Sequence, residues 1–334
     1  MNILVTGASG FIGARFAHLA LGRGCQVRIA SRSALAVEGL VRAGAQCLEG
    51  ELGDADFARR LCAGVEAVVH CAGPADSWIQ AQALEQARQG VTENLVEACL
   101  KEHVPRFVHL SCAQLYYSGP TREAVREEQI PSRHARAYAR ALFLAEQRVF
   151  GAEEFGMQVI ALRPTRVVGA GDRQWLPRLV RLHEAQRLGV LGDGLNRVDF
   201  TSVHNLCEAL WLALHADAPA LGRAYNISNG APVPLWDAVA YVARQLGLAR
   251  VPQGRSVALA RLRAGCTEGL CRAWPGRPRP RLTLDDVTRL TEDFTLDTHR
   301  ARHYLGYAPA TGLWPALDEF ALWWKSQDTS GRYR

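Results

Sequence analysis

Lysine is almost absent from this chain of 334 residues: of 39 basic residues, only Lys101 and Lys325 are lysine, and the rest are arginine. The formal net charge is +6, but the arginines are scattered and do not alternate with aromatic residues along a basic stripe. This pattern predicts no nucleic-acid partner. No apolar run approaches the ~20 residues that a membrane-spanning helix needs, so we expect no membrane span.

Cysteine and metal-ligand patterns exclude further classes of protein. The nine cysteines include no C-x-x-C pair, and no His/Cys cluster has zinc-ligand spacing, so the sequence predicts no metal site. An odd number of cysteines without a disulfide framework suits a reducing compartment. The run MNILVTG is typical of a buried strand and lacks the positively charged segment of a signal peptide, and we therefore expect a cytoplasmic protein.

The first half of the chain alternates apolar, strand-like runs with helical periodicity. Repeated units of this kind predict an α/β fold with a Rossmann-like, doubly wound parallel sheet. We expect a dinucleotide-binding domain over 1–165, with further elements from 190–215, and a smaller, mainly substrate-binding lobe over 166–330. The stretch 250–282 is rich in Arg, Pro and Gly, which predicts a surface loop with one short helix.

A glycine-rich turn, T-G-x-x-G-x-x-G, follows the first strand and opens the first helix, the context in which the pattern predicts dinucleotide binding. Gly7 permits a tight turn, Gly10 lets the backbone approach a pyrophosphate, and Gly13 lets helix and strand pack closely. The helix N-terminus then directs N–H groups and a positive dipole end at the phosphates. The predicted cofactor-binding residues of this turn are Gly7, Ser9, Gly10, Phe11, Ile12 and Gly13.

The end of the second strand distinguishes NAD from NADP. An acidic residue there would bind the ribose 2′-hydroxyl, but the strand ends in Ser31-Arg32, with an arginine where a 2′-phosphate would lie. This arrangement favours NADP(H). NAD(H) stays open as the alternative, in which Arg32 is a solvated surface residue.

Several later motifs resemble those of the extended short-chain dehydrogenase/reductases, the NAD-dependent epimerase/dehydratase superfamily. ALRPT at 161–165 and GAGD at 169–172 look like the L-R-P…G-x-G-D segment of that family, and ARALFLAEQRV after Tyr138 looks like its Y-x-x-x-K helix with the trailing A-E. The order of motifs is most similar to the branch of 3-beta-hydroxysteroid dehydrogenases and 2-alkyl-3-ketoacid reductases. The resemblance covers almost the whole chain.

The resemblance implies a ketone–alcohol interconversion on a small, fairly apolar molecule. It implies a homodimer through two long helices, one around Val91–Lys101 and one beginning near Ala135. It also implies cofactor contacts beyond the glycine turn. These are Glu51, which replaces an aspartate near the adenine, Leu52, Cys71, Ala72, Gly73, Tyr138 and Pro164.

The catalytic residues depart from the family pattern. The resemblance implies a tyrosine that exchanges a proton with the substrate oxygen, a lysine four residues later that lowers the tyrosine pKa, and a hydroxyl that hydrogen-bonds the same oxygen. Tyr138 is present, but Leu142 occupies the lysine position on the same helix face. The hydroxyl position falls on Cys112, with Ser111 one residue earlier, where a strand directs its side chain to the other face. The candidate catalytic residues are Tyr138, Ser111 and Cys112.

Two functions remain open from the sequence. The first is an NADP(H)-dependent reductase of a ketone or aldehyde, because a phenol with a pKa near 10 is a poor base at neutral pH but still donates a proton. The second is a protein of the same fold that binds the cofactor without turnover, as a sensor or assembly subunit. The absence of lysine at position 142 favours the second, and Tyr138 favours the first.

Overall fold

The computed structural model describes residues 1–73, 84, 86–117, 122–134, 136–252, 254–276 and 278–327. Its strands are β1 (Asn2–Thr6), β2 (Gln26–Ser31), β3 (Gln46–Glu49), β4 (Ala67–His70), β5 (Arg106–Leu110), β6 (Arg122–Val125), β7 (Gln158–Pro164), β8 (Val167–Val168), β9 (Arg197–Val198), β10 (Thr201–Ser202), β11 (Arg223–Ile227), β12 (Val233–Pro234) and β13 (Phe294–Leu296).

The helices complete the chain order. They are α1 (Phe11–Gly22), α2 (Glu38–Arg42), α3 (Ala55–Cys62), α4 (Val91–Lys101), α5 (Ala137–Gly151), α6 (Trp175–Glu184), α7 (Val203–Leu214), α8 (Leu235–Gln245), α9 (Val257–Ala273), α10 (Leu284–Thr291), α11 (His299–Leu305) and α12 (Leu313–Ser326). Ala135, near which a helix was expected to begin, lies outside the described residues, and α5 begins at Ala137. A single π-turn, Gln86–Gly90, precedes α4.

Seven parallel strands form the large sheet, in the order β11-β7-β5-β4-β1-β2-β3. This is the predicted doubly wound, Rossmann-like sheet. The strand order reverses direction beside β1, and the crevice at such a reversal, outside the carboxyl ends of the strands, is where ligands bind in open α/β sheets. The strand β11 comes from residue 223 onward, so the sheet includes chain from beyond the glycine-rich half.

Alternate residues of the central strands enter two separate cores. Ile3 and Val5 of β1 pack with α1 and α7 on one face, whereas Leu4 packs with α3, α4 and α5 on the other. Burial on both faces explains the continuous apolar runs of the sequence, because a parallel sheet covered by helices has no solvated side.

A second, smaller sheet has the order β12-β9-β13-β6 and packs with α6, α8, α10 and α12 around a core of its own. The strand β6 belongs to the first half of the chain and pairs with β13 in parallel. The two halves of the sequence are therefore interleaved beside the carboxyl edge of the large sheet.

The stretch 250–282 contains more helix than its composition predicted. Instead of one short helix, it forms α9, which has 17 residues and begins after Ser256, whose side chain accepts the backbone N–H of Leu259. Only Ala264 and Glu268 of this helix are buried. Because so little of α9 faces a core, its sequence lacks the apolar periodicity by which a helix is recognised. Within the described ranges, no helix combines the length and apolar composition that crossing a membrane requires.

Candidate functional site

The glycine turn between β1 and α1 is built from contacts that tolerate no side chain. Gly7 has φ +71, and a Cβ on it would lie 2.7 Å from the carbonyl carbon of Cys71. A Cβ on Gly13 would lie 2.3 Å from the Gly7 carbonyl oxygen. No described side chain caps α1 at Gly10, and its first turn contains no acidic residue. The free N–H groups at this end of the helix therefore fit a dinucleotide pyrophosphate.

The other predicted cofactor residues lie along the same carboxyl edge. Glu51 and Leu52 follow β3, Cys71 to Gly73 follow β4, and Pro164 ends β7. Ser9 is exposed, whereas Phe11 and Ile12 are half-buried. The ring of Phe11 lies beside Gly171, where a Cβ would come within 3.1 Å of it. This contact joins the glycine turn to the GAGD loop.

Two charged side chains lie at the carboxyl end of β2, a cation that follows the strand and a carboxylate from the neighbouring strand β3. Arg32 is exposed directly after β2. Ser31 pairs with Glu49 of β3, and Glu49 Oε1 accepts the backbone N–H of Ala34 at 2.8 Å. The strand itself carries no acid, as its sequence predicted, but the fold brings Glu49 beside it. Arg32 and Glu49 are both exposed, so the end of β2 offers a guanidinium group to a 2′-phosphate and a carboxylate to a ribose hydroxyl.

Tyr138 lies in the first turn of α5 with its hydroxyl against the side chain of Arg88. Arg88 Nη2 donates to the Tyr138 hydroxyl oxygen at 3.1 Å, and the guanidinium carbon lies 5.2 Å from the centre of the tyrosine ring. Both side chains are 7% exposed. Leu142, four residues along the same helix face, is fully buried in the apolar cluster that also contains Tyr138. The cation beside the phenol therefore comes from the turn before α4 and not from α5.

The environment keeps the Tyr138 phenol protonated. Burial raises the pKa of Tyr138 above its usual value of 10, and the nearby Arg88 and Arg289 guanidinium groups offset only part of this effect. An arginine has donors and no acceptor, so Arg88 must donate to the phenol oxygen and cannot receive its proton. The hydroxyl proton of Tyr138 is therefore directed away from Arg88.

Of the two candidates at the end of β5, Cys112 is the one that packs against the cluster containing Tyr138. Cys112 is half-buried there, and its thiol contributes to raising the pKa of Tyr138. Burial raises the pKa of the Cys112 thiol, which is therefore protonated at neutral pH. Ser111 is 4% exposed, and its hydroxyl oxygen has no hydrogen-bond partner among the described residues. Neither side chain has a hydrogen bond to Tyr138 in the described part of the chain.

A buried ion pair fixes α5 to the large sheet. The Arg163 guanidinium of β7 donates to both carboxylate oxygens of Glu146 of α5, at 2.5 to 3.1 Å, and both side chains are almost fully buried. Arg163 Nη1 also donates to the hydroxyl of Tyr116 at 2.6 Å, which in turn donates to Asn226 Oδ1 of β11 at 2.8 Å. Arg163 of the L-R-P motif and Glu146 of the A-E motif therefore have a structural role: their ion pair holds the helix that carries Tyr138 against the sheet.

Three arginines surround Tyr117, the residue after Tyr116. Arg166 Nη2 donates to the Tyr117 hydroxyl at 3.2 Å, and the guanidinium carbons of Arg136 and Arg289 each lie 5.7 Å from its ring centre. Arg136 and Arg289 both pair with Asp285. Asp199 also interacts electrostatically with Arg166, as Glu292 and Glu268 do with Arg136, so neighbouring carboxylates balance part of this positive charge.

Arg88 is the residue that the sequence did not predict. It lies 50 positions before Tyr138, in a short π-turn that no periodicity marks. The only hint in the sequence is the scarcity of lysine. Because almost all basic residues are arginine, a buried cation beside the tyrosine is expected to be an arginine. That signal identifies the residue type and not the position.

Comparisons with known proteins identify the family to which this fold belongs. The model of the NAD dependent epimerase/dehydratase family matches residues 3–228. A 2-alkyl-3-oxoalkanoate reductase from Stenotrophomonas maltophilia is 33% identical over 327 residues, covering 94% of this chain and 96% of that protein. A 4-hydroxy-2-methyl-3-oxo-4-farnesyl-3,4-dihydroquinoline-1-oxide ketoreductase from Stigmatella aurantiaca is 28% identical over 310 residues, covering 92% of each chain.

Among solved structures, UDP-glucuronic acid 4-epimerase from Bacillus cereus in complex with NAD has a TM-score of 0.76 at 20% identity, covering 99% of this chain and 100% of that chain. At this identity the likeness shows the fold alone. Together with the family match, it confirms the predicted fold class and resemblance. The chain belongs to the NAD dependent epimerase/dehydratase family, whose members are NAD(P)-dependent and include oxidoreductases.

Proposed function

We propose that this protein is an NAD(P)H-dependent ketoreductase in which Tyr138 donates a proton to the substrate carbonyl oxygen. The observation that carries the proposal is the state of the Tyr138 hydroxyl. It is buried, its raised pKa keeps it protonated, and its oxygen already accepts a hydrogen bond from Arg88. A phenol in this state is a proton donor at neutral pH, which favours reduction of a ketone over oxidation of an alcohol.

In this mechanism the protein supplies the proton and the charge stabilisation. When bound, the reduced nicotinamide supplies the hydride that the carbonyl carbon accepts. As the carbonyl oxygen gains charge, Tyr138 transfers its hydroxyl proton to that oxygen and completes the alcohol. The phenolate left on Tyr138 is stabilised by the hydrogen bond from Arg88 until solvent returns a proton. The Cys112 thiol, a weak donor, would face the same oxygen in place of the usual hydroxyl.

The substrate class follows from the charge around Tyr117 and from the relatives. Arg136, Arg166 and Arg289 place three guanidinium groups around Tyr117, and such groups suit a substrate with a carboxylate near its ketone. Two relatives are by name reductases of oxo compounds, one of them of 2-alkyl-3-oxoalkanoates. We therefore propose a 3-oxo acid with an apolar chain.

The exposed Arg32 at the end of β2 supports NADPH as the preferred cofactor, because a guanidinium binds a 2′-phosphate through paired hydrogen bonds. Glu49 is the residue whose position would instead favour NADH. Its carboxylate lies one strand away, and while Oε1 accepts the Ala34 N–H, Oε2 could accept a ribose hydroxyl. A preference for NADH would assign the ribose contact to Glu49.

We further propose that two copies associate through α4 and α5. These helices pack side by side on one face of the large sheet, joined by Arg148 of α5 with Glu93 and Glu97 of α4. Light scattering on the purified protein should give twice the chain mass. A monomer at micromolar concentration would overturn this part of the proposal.

The experiment that tests the function has two stages. The first titrates the protein with NADPH and with NADH and follows nicotinamide fluorescence. The second adds 3-oxo acids of increasing chain length, their methyl esters and simple ketones to the bound complex and follows consumption of the reduced cofactor. Consumption by wild type that is lost in Tyr138→Phe, with unchanged cofactor affinity, supports the proposal. Tight binding without consumption by any carbonyl compound would establish the non-catalytic alternative, which Leu142 at the lysine position favours.

A further inference from the structure

We propose that Arg88 is a catalytic residue: it supplies, from a different element of the fold, the positive charge that makes Tyr138 a competent proton donor. This inference rests on the proposed reductase function. It assigns to Arg88 a role that the helix carrying Tyr138 cannot fill, because position 142 of that helix is an apolar and fully buried leucine.

The contact itself is the first support. Arg88 Nη2 lies 3.1 Å from the Tyr138 hydroxyl oxygen, and the guanidinium also approaches the ring. A donated proton leaves the phenol negatively charged, and a charge-assisted hydrogen bond to a phenolate is roughly twice as strong as one to a neutral phenol. Arg88 therefore stabilises the product of proton transfer more than the reactant, which is the condition for lowering the barrier.

The guanidinium also lies close to the segment that follows β4. A Cβ on Gly73, in the segment that follows β4, would lie 3.0 Å from both the guanidinium carbon and Nη2 of Arg88. Gly73 has φ +154, in the region that favours glycine, and belongs to the predicted cofactor-binding segment. The absence of a side chain at Gly73 thus makes room for Arg88. The guanidinium lies against the dinucleotide side of the site as well as against Tyr138.

A chain of hydrogen bonds fixes the backbone of Arg88. Thr92 donates its single hydroxyl proton to the Arg88 carbonyl oxygen at 2.7 Å, so at 3.1 Å it must accept from Nε2 of His70. The other ring nitrogen of His70, Nδ1, then accepts from the Thr6 hydroxyl at 2.7 Å. Thr6 Oγ1 in turn accepts the Ala72 N–H at 3.4 Å.

This chain needs a neutral His70, and the surroundings provide one. Burial, together with the Arg88 charge, lowers the pKa of His70 to about 3. Thr6 ends β1 and precedes the first glycine of the turn, while Thr92 lies in the first turn of α4. Thr92 and His70 are therefore positioning residues, and they link Arg88 to the strand that begins the cofactor site.

The test compares Arg88→Met, which removes the charge at similar length, with Arg88→Lys, which keeps a charge but not the guanidinium. The control is Arg140→Met, which removes an exposed arginine from the same helix as Tyr138. For each protein we would measure NADPH affinity, kcat and KM for reduction, and the ultraviolet titration of Tyr138 as the difference from the matching Tyr138→Phe variant. The charged groups that act on Tyr138 in this titration are Arg88, Arg289 and the Cys112 thiol.

We expect Arg88→Met to lower kcat by about 10²-fold or more and to move the Tyr138 titration to higher pH, with NADPH affinity changed less than about threefold. Arg88→Lys should recover at least a tenth of the lost rate, and Arg140→Met should match wild type. Thr92→Val should lower kcat without changing KM and shift the Tyr138 titration in the same direction, which a loss of folding stability alone would not do.

The failures of the two proposals are distinguishable. If wild type reduces ketones and Arg88→Met retains its kcat and its Tyr138 titration, the role of Arg88 is wrong while the reductase function stands. If wild type reduces nothing, the proposed function fails, and the Tyr138 titration still decides whether Arg88 acts on the phenol. An unchanged titration in Arg88→Met would overturn the inference in either case.

Discussion

Placing a lysine at position 142 should not repair this site, although the family pattern has a lysine there. Leu142 is fully buried in the cluster around Tyr138, and the phenol oxygen already accepts a hydrogen bond from the Arg88 guanidinium. We expect Leu142→Lys to leave kcat unchanged or lower it, and to destabilise the protein. The same substitution in an Arg88→Met background should raise kcat above that of Arg88→Met alone.

The size of the effect follows from the charges. Two cations that share one phenol lie roughly 5 Å apart, and at an effective dielectric constant of ~20 they repel each other by about 3 kcal/mol. That energy equals about two pKa units, so repulsion alone would lower the pKa of the introduced amine from ~10.4 to about 8. Burial would lower it further, and the remaining repulsion would force the arginine away. Removing Arg88 removes the repulsion, so the effect of Leu142→Lys on kcat should differ by about 10²-fold between the two backgrounds.

The assay is a double-mutant cycle. It compares kcat at saturating NADPH for wild type, the two single variants and the double variant, together with their free energies of unfolding in urea. A Leu142→Met variant controls for the loss of the leucine shape without adding charge. A Leu142→Lys protein that reduces ketones tenfold faster than wild type and is equally stable would refute the reasoning. It would mean that the Arg88 guanidinium does not already supply the positive charge at the Tyr138 hydroxyl.

Three other perturbations test separate parts of the structure. Arg32→Ala should weaken NADPH binding by about 10- to 100-fold and leave NADH binding unchanged, with exposed Arg42→Ala as the control; equal effects on both cofactors would exclude Arg32 as the phosphate-binding residue. Arg289→Gln should raise KM for a 3-oxo acid by about tenfold and leave KM for the matched ketone without a carboxylate unchanged; a uniform change would exclude carboxylate recognition. His109 is fully buried, neither of its ring nitrogens is hydrogen-bonded to a described residue, and burial lowers its pKa as it does that of His70. The unfolded chain then binds more protons below about pH 6.5, so stability should fall with decreasing pH by up to about 1.4 kcal/mol per pH unit for each histidine. His109→Leu should reduce that slope relative to wild type, as followed by urea unfolding at several pH values; identical slopes would contradict the assignment.

The parts of the fold that depend on local sequence were predictable. The glycine turn is one continuous segment, and its role depends on φ angles and close approaches that only glycine permits, so the pattern itself carries the geometry. The strands β1, β4, β5 and β7 are buried on both faces and therefore appear as uninterrupted apolar runs.

The site was predictable only where it coincides with a motif. The resemblance located Tyr138 and showed that its lysine is missing, but it could not show what replaces the lysine. Arg88 reaches Tyr138 from a turn 50 residues away, and the hydrogen bonds that hold it join β1, β4 and α4. Contacts of this kind depend on how elements pack, and no local pattern records them.

Two further features show the same limit. Glu49 comes beside the end of β2 only because β3 pairs there, so the strand sequence alone suggested a site without a carboxylate. The helix α9 was expected as a loop with one short helix, because a helix that buries only two side chains leaves little apolar periodicity in its sequence. In both cases the deciding interactions lie outside the segment whose sequence was interpreted.

The most direct measurement of the central claim is a single turnover with NADPH that carries deuterium at its transferable position. Wild type and Tyr138→Phe, each loaded with this cofactor, would be mixed with a 3-oxo acid, and the 3-hydroxy product would be analysed by mass spectrometry. We expect one deuterium in the wild-type product and no product from Tyr138→Phe in the same time, although both bind the cofactor equally. Labelled product at equal rates from both proteins, or none from wild type, would contradict the proposed role of Tyr138.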